Sequence, residues 1–456
     1  MAGLPGVFAR RGCPQDHSLN LLSLIYVDPC RIGAQEIVLS SVRIDLREAA
    51  MDPVDPLVPD VPELPHTATT PETYKATPET PAAYAAIEAG TTQPVAAQQP
   101  AETRFLLWVL LGKQGLRAGW SVVLFVLLFG LFFTGVGFVF VKLNLVDQKN
   151  RFTASAALFG ELIPFLAMVA AAAIVALVER RRGNLLAFNL MGPHRARHFV
   201  EGLVAGFVAL SALIGGLAWG GWLHFGPVAL SGVQIAEYAT VWGIAFLLVG
   251  CVEEGLFRCF LQSTLTRGIN FWWALGIVGL ICAVLVIFGK GNGIWGVYIL
   301  AALGFVPCLL LQLNKAESAG FWQAAWVTST LFGYIHTGNN GENWIGIFAA
   351  AAIGFVFVVS VRVTGSAWWA VGCHAAWDWA ETYFYGAADS GNPAVGHYLS
   401  VTPAGSAFWS GGADGPEGSV LVLGVILLLL VALVAIYGRS KSSVVMHTEQ
   451  LEQAAR

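Results

Sequence analysis

The sequence predicts an all-α fold, a polytopic transmembrane helical bundle of about eight to ten spans behind a disordered N-terminal tail, and three observations predict it. Apolar runs of about 18 to 25 residues recur along the chain, each long enough to cross about 30 Å of hydrocarbon. Hydrophobic residues make up 56% of the 456 and charged ones only 12%, with a mean hydropathy of +0.65, outside the balance of a soluble domain. The period-two alternation that a transmembrane barrel requires is not apparent.

Residues 1–103 stand apart from this pattern. From Met51 to Pro100 the chain is rich in Pro, Thr and Ala, with Pro53, Pro56, Pro59, Pro62 and Pro65 in close succession and no periodic apolar face, so a disordered tail is expected. The first fifty residues carry no cleavable signal pattern, and Met51 is a candidate true start.

Spans are expected near 119–141, 155–178, 199–223, 239–263, 271–289, 294–313, 319–337, 344–361, 366–386 and 419–438. They group into N-terminal membrane helices (104–238), a core (239–386) with an inserted helix pair near 271–313, an outer loop (387–418), and a last helix with its tail (419–456). The insertion is read from the likeness of Phe271-Trp272-Trp273-Ala274 to Phe321-Trp322-Gln323-Ala324.

Ten spans put both termini on one side. Arg104, Lys113 and Arg117 precede the first span, Arg180, Arg181, Arg182, Arg195 and Arg197 join the second to the third, and Arg439 and Lys441 follow the last, which makes these segments cytoplasmic. The loops 224–238 and 387–418 contain no Lys or Arg and belong outside, while Lys142, Lys149 and Arg151 run against the rule. A multi-pass cell membrane, of bacterial inner-membrane type, is the expected location.

Other classes find little support. A net charge of -4 offers nothing to a nucleic acid. Five of the seven cysteines, Cys251, Cys259, Cys282, Cys308 and Cys373, lie within apolar runs as small hydrophobes, and with Cys13 and Cys30 in the tail no spacing suggests disulfides or a zinc cluster.

Ionisable residues inside spans are costly and mark functional sites. The reading confines them to three spans: Glu253, Glu254 and Arg258 in the fourth, His336 ending the seventh, and His374, Asp378 and Glu381 in the ninth. Glu254 and Arg258 are four residues apart on one helical face and are expected to form an ion pair. Glu253 is rotated about 100° away, without a full counter-charge, and is suited to exchanging a proton with water as a general base. His374 and Asp378 share a face, where they bind an oxyanion or a metal. At about 1.5 Å per residue Glu253, His336, His374 and Asp378 fall at compatible depths. Trp377 and Trp379 are expected to pack or anchor at the interface, and Glu381 to be solvated. Taken one at a time, each of these features has a structural explanation; together they point to a site.

The three motifs resemble those of the CPBP intramembrane peptidases, also called the Abi or CAAX-protease-like family: paired glutamates with an arginine four beyond the second (Glu253, Glu254, Arg258), a phenylalanine four before a histidine (Phe332, His336), and a histidine four before an asparagine or aspartate (His374, Asp378). The resemblance spans about residues 240 to 386. It implies a helical membrane fold and proteolysis near the cytoplasmic half of the membrane, acting on a membrane-associated peptide or protein. It further implies that Glu253 and His336 activate the attacking water, that His374 and Asp378 bind the substrate carbonyl or oxyanion, and that Glu254 and Arg258 hold the site together. Asp378 stands where many members have asparagine, and an anionic Asp is a poor oxyanion donor that orients His374 instead.

The family has been described both as metal-dependent and as metal-free. Glu253, His336, His374 and Asp378 offer a nitrogen and oxygen set suited to zinc, whereas the absence of a His-Glu-x-x-His helix argues for glutamate-activated water, and the choice stays open. Serine and aspartyl intramembrane proteases are excluded by the lack of Gly-x-Ser-Gly and Gly-x-Gly-Asp. A reading from another class is a transporter or non-catalytic adaptor in which the same polar cluster relays protons or binds an ion, but a transporter should show two comparable halves.

Overall fold

The computed structural model describes residues 108–438 apart from 113–114, 147–153, 180–187, 193, 289–292, 317, 340 and 394. The expected tail 1–103, the candidate start Met51, Cys13 and Cys30, and the orienting residues Arg104, Lys113, Lys149, Arg151, Arg180 to Arg182, Arg439 and Lys441 lie outside the described residues.

Each expected span coincides with a helix. These are α1 (Ala118–Lys142), α2 (Ala154–Val178), α3 (Arg195–Trp219), α4 (Val233–Thr266), α5 (Phe271–Phe288), α6 (Gly293–Leu313), α7 (Ala319–His336), α8 (Trp344–Thr364), α9 (Trp368–Trp379) and α10 (Leu421–Tyr437). Among the described residues seven helices are long and apolar enough to cross a membrane by length and composition: α1 to α6 and α8. The chain is a multi-span membrane protein. The shortfall from ten has local causes. Helix α7 carries Gln323, Thr328, Ser329 and Thr330, α9 stops after twelve residues, and α10 has seventeen.

Two helices change pitch. α4 widens into a π-helical stretch at Gly255–Leu261, directly after its glutamate pair, and α9 continues as a π-helix at Ala380–Tyr385. Such widenings disturb the regular hydrogen-bond ladder and recur at functional sites.

Of the seven long apolar helices α8 is the best covered, with Val356, Val358, Val359 and Val361 buried, whereas α1 buries only Ser121 and Phe125 and turns the rest of its apolar surface outward. Helices α3 and α9 form the closest pair. A Cβ on Gly206 would stand 2.1 Å from the carbonyl oxygen of Cys373, so only a residue without a side chain permits this approach. The pairing fixes the helix that carries His374 and Asp378.

Short strands β1 (Leu111–Gly112) and β2 (Gly115–Leu116) form a turn before α1. β3 (Leu223–Phe225) pairs antiparallel with β4 (Val401–Pro403), in register Leu223 to Pro403 and Phe225 to Val401. This ladder joins the two Lys/Arg-free connections on one side of the bundle. The first is shorter than expected, because α4 begins at Val233.

Candidate active site

The helical spacing within α4 does what the sequence requires of it. Arg258 Nε lies 3.1 Å from Glu254 Oε2, with both side chains buried. The guanidinium is enclosed by aromatic rings, 4.4 Å from the centre of Phe332, 5.3 Å from Phe357 and 5.6 Å from Phe257. Gly354 of α8 makes the room, since a Cβ there would come within 2.8 Å of Arg258 Nη2. A buried cation with one carboxylate partner and three ring faces is held by charge and by quadrupole together.

Phe332 thereby acquires two jobs. Its ring covers Arg258, and its backbone carbonyl lies 2.7 Å from Nδ1 of His336, whose ring stands 4.6 Å from that of Phe332. A carbonyl only accepts, so the neutral His336 ring carries its proton on Nδ1 and presents Nε2 as an acceptor.

His374 joins the helices. Its Nδ1 is 2.9 Å from Glu254 Oε1, while Nε2 faces Asp378 Oδ2 at 3.5 Å and Glu253 Oε2 at 3.9 Å. Phe357 stacks against the ring at 5.7 Å. Nδ1 of His374 thus meets a carboxylate acceptor, and Nε2 faces two further carboxylates. Glu253, part-exposed where Glu254 is fully buried, has an Oε2 atom without a hydrogen-bond partner and lies within electrostatic reach of His336. The structure therefore brings together Glu253, Glu254, Arg258, His336, His374 and Asp378 from α4, α7 and α9.

Two sequence expectations fail. Glu381, expected to be solvated, is fully buried, because the 387–418 segment folds back over the end of α9; Trp377 Nε1 donates to Glu381 Oε2 at 3.1 Å and to Glu417 Oε1 at 2.8 Å, so Trp377 is a donor as well as a packing residue. The confinement of buried charge to three spans also fails. Glu161 of α2 lies within electrostatic reach of Glu253 and of Asp389. Its signal in the sequence was plain, a single carboxylate in an otherwise uncharged apolar helix just before Pro164. Asp389 and Glu417 gave no such signal, since acids in a loop are ordinary.

Around the site the loop carboxylates hold protons unusually tightly. Burial pushes Asp389 up to about 6, Asp414 to about 7 and Glu417 to about 8, with repulsion from Asp389 and Asp414 adding to the effect at Glu417. Glu342, buried beside Asp414, is pushed up to about 10.

The set Glu253, His336, His374 and Asp378 does not gather three ligand atoms around one point; among the described residues the group that does is Glu381, Asp389 and Glu417, whose ligand atoms lie within 4.8 Å of one another. His336 Nδ1 and His374 Nδ1 are already committed to Phe332 and Glu254. The Nε2 atoms of both histidines take no part in these two contacts, and His374 Nε2 stands 3.5 Å from Asp378 Oδ2 and 3.9 Å from Glu253 Oε2.

Residues 235–316 and 303–380 match the family model described as Type II CAAX prenyl endopeptidase Rce1-like. This segment is similar to that family. The matched residues include all three motifs, and the two pieces overlap on the end of α6, the second helix of the pair that the sequence marks as inserted. No curated protein and no solved structure matches the chain. The Rce1-like segment covers about a third of the chain and agrees with the CAAX-protease-like family that the motifs resemble.

Proposed function

We propose that this protein is an intramembrane endopeptidase that hydrolyses a peptide bond of a membrane-associated peptide or protein, with Glu253 as general base. The observation that carries the reading is the Glu253 carboxylate. It has an unpartnered Oε2, stands 3.9 Å from His374 Nε2, and is not neutralised by Arg258, whose nearest carboxylate is Glu254. A base needs a free lone pair beside the reacting water, and Glu253 offers one.

In this mechanism Glu253, assisted by Nε2 of His336, takes a proton from water as the water oxygen bonds to the scissile carbonyl carbon. The negative charge that develops on the carbonyl oxygen is met by His374, oriented by Glu254 and Asp378. Collapse breaks the carbon–nitrogen bond, and the proton held by Glu253 passes to the leaving amine. Glu254 and Arg258 hold α4 in place. No zinc is required by these steps. Both termini face the cytoplasm in this reading, in a membrane of bacterial type.

The test is cleavage of a quenched fluorescent peptide library by the purified full-length protein in detergent. Glu253→Gln is expected to remove activity while the melting temperature stays near that of the wild type, and chelator is expected to leave activity in place. Cleavage unchanged in Glu253→Gln overturns the assignment, and no cleavage by the wild type favours the transporter or adaptor reading. Loss on chelation, restored by zinc, replaces direct activation with a metal-assisted step.

A further inference from the structure

We propose that Glu381, Asp389 and Glu417 form a binding site for a hard divalent cation, with Ca2+ as the fitting ion, which fastens the 387–418 segment to the end of α9. The three residues come from separate pieces of chain: the π-helical end of α9, the bend that follows it, and the short 3-10 turn Pro416–Gly418 ahead of α10. Each offers an oxygen within 4.8 Å of the other two.

The independent observation is Glu381. Its side chain is 0% exposed, and while Oε2 accepts from Trp377, Oε1 is buried with no hydrogen-bond partner at all. A buried carboxylate oxygen left bare is costly, and native proteins seldom leave one so. The groups that donate to the cluster are neutral: Trp377 donates to Glu381 and Glu417, Thr382 to Asp389 at 3.0 Å, and Ser390 to Glu417 at 3.1 Å, while Asp378 and Asp414 add negative charge within electrostatic reach of Glu381. The segment 387–418 contains no Lys or Arg to balance the charge.

The backbone is shaped for the same purpose. Gly415 has φ +106°, and a Cβ there would meet the Ala388 carbonyl oxygen at 2.1 Å and Glu381 Oε1 at 3.5 Å. Only glycine lets the turn pass so close to the Ala388 carbonyl, and that path runs alongside the bare oxygen of Glu381.

Donor chemistry selects the ion. The three side chains supply oxygen alone, which suits Ca2+ or Mg2+ and disfavours zinc, whose sites draw on nitrogen and sulfur. Ca2+ tolerates an irregular shell of carboxylates, carbonyls and water, whereas Mg2+ demands a near-octahedral one. The competing explanation is that the carboxylates simply share protons, and the experiment separates the two.

Full-length protein in detergent is titrated with Tb3+, exciting tryptophan and following terbium emission, then competed with Ca2+; melting is recorded with and without Ca2+. Expected are emission that Ca2+ displaces and a melting temperature that rises with Ca2+. Changing a residue behind a metal ligand costs about 10- to 100-fold in affinity, so Glu417→Gln should weaken binding by at least ~10-fold. Trp377→Phe should lower sensitised emission and, because Trp377 donates to Glu381 and Glu417, shift the Ca2+-dependent rise in melting temperature to higher Ca2+ concentration. Glu253→Gln, which removes a nearby charge but no ligand, should weaken Ca2+ binding far less than Glu417→Gln does, which separates this site from the proposed base. If Glu417→Gln does not fold, Asp389→Asn serves in its place. The proposal is overturned if wild type gives neither displaceable emission nor a Ca2+-dependent melting shift, or if the carboxylate variants bind as the wild type does.

Discussion

Nδ1 of His374 lies 2.9 Å from Oε1 of Glu254, the carboxylate whose other oxygen meets Arg258. One buried glutamate therefore ties α4 to α9 and neutralises the cation on its own helix. Its neighbour Glu253 is left unencumbered, and the division of labour between adjacent glutamates follows from the 100° that separates them on the helix.

Glu254→Gln should be far more damaging to the fold than Glu253→Gln. It leaves Arg258 as a buried, unbalanced cation, a loss on the order of 3–5 kcal/mol when one partner of a buried pair is removed. Denaturant unfolding in mixed micelles measures the difference; equal stability of the two variants would contradict the division.

Phe332→Leu removes the nearest of the three rings around Arg258 but keeps the backbone carbonyl that holds His336. A stability loss of about 1–2 kcal/mol is expected from the lost cation–π contact and the changed packing. Gly354→Ala, which intrudes on Arg258 and lies against the Phe332 ring, should weaken the same place, and the two effects should fail to add because the sites touch and share one partner. Additive losses in a double-variant cycle would argue against a common target.

At the α3–α9 contact, Gly206→Ala drives a methyl group into the carbonyl of Cys373, the residue before His374. Overpacking of this kind costs about 1–3 kcal/mol. Because the strain falls on the backbone beside His374, cleavage should decline more than it does in an equally destabilised variant on the lipid-facing side of α1, such as Leu127→Ala.

The loop carboxylates set a pH dependence. Glu417, Asp414 and Asp389 are raised by burial to about 8, 7 and 6 from ordinary values of 4.5, 3.8 and 3.8. The folded state therefore binds protons more tightly than the unfolded chain, so with divalent cations chelated their contribution to stability is fully present below about pH 4. It is lost progressively up to about pH 8. Melting curves across this range should show the decline, and Glu417→Gln should flatten it; a wild-type stability that rises with pH through this window would refute the assignment.

The sequence by itself determined the helices and the pairings within them. Apolar runs of membrane-crossing length placed each of the ten helices, and a spacing of four residues predicted that Glu254 would meet Arg258 and His374 would meet Asp378, because intrahelical geometry is fixed by the backbone. Tertiary structure alone decided the pairings between helices. Nothing in the period of α9 tells His374 to choose Glu254, or tells Arg258 that Phe332, Phe357 and Gly354 will enclose it, since rotation and approach are set by small residues such as Gly206 on other helices. The burial of Glu381 was illegible for the same reason. Its neighbours Asp389 and Glu417 arrive through a loop that folds back over α9, and a loop's path is dictated by long-range contacts such as the β3–β4 ladder, which hydrophobic periodicity does not encode.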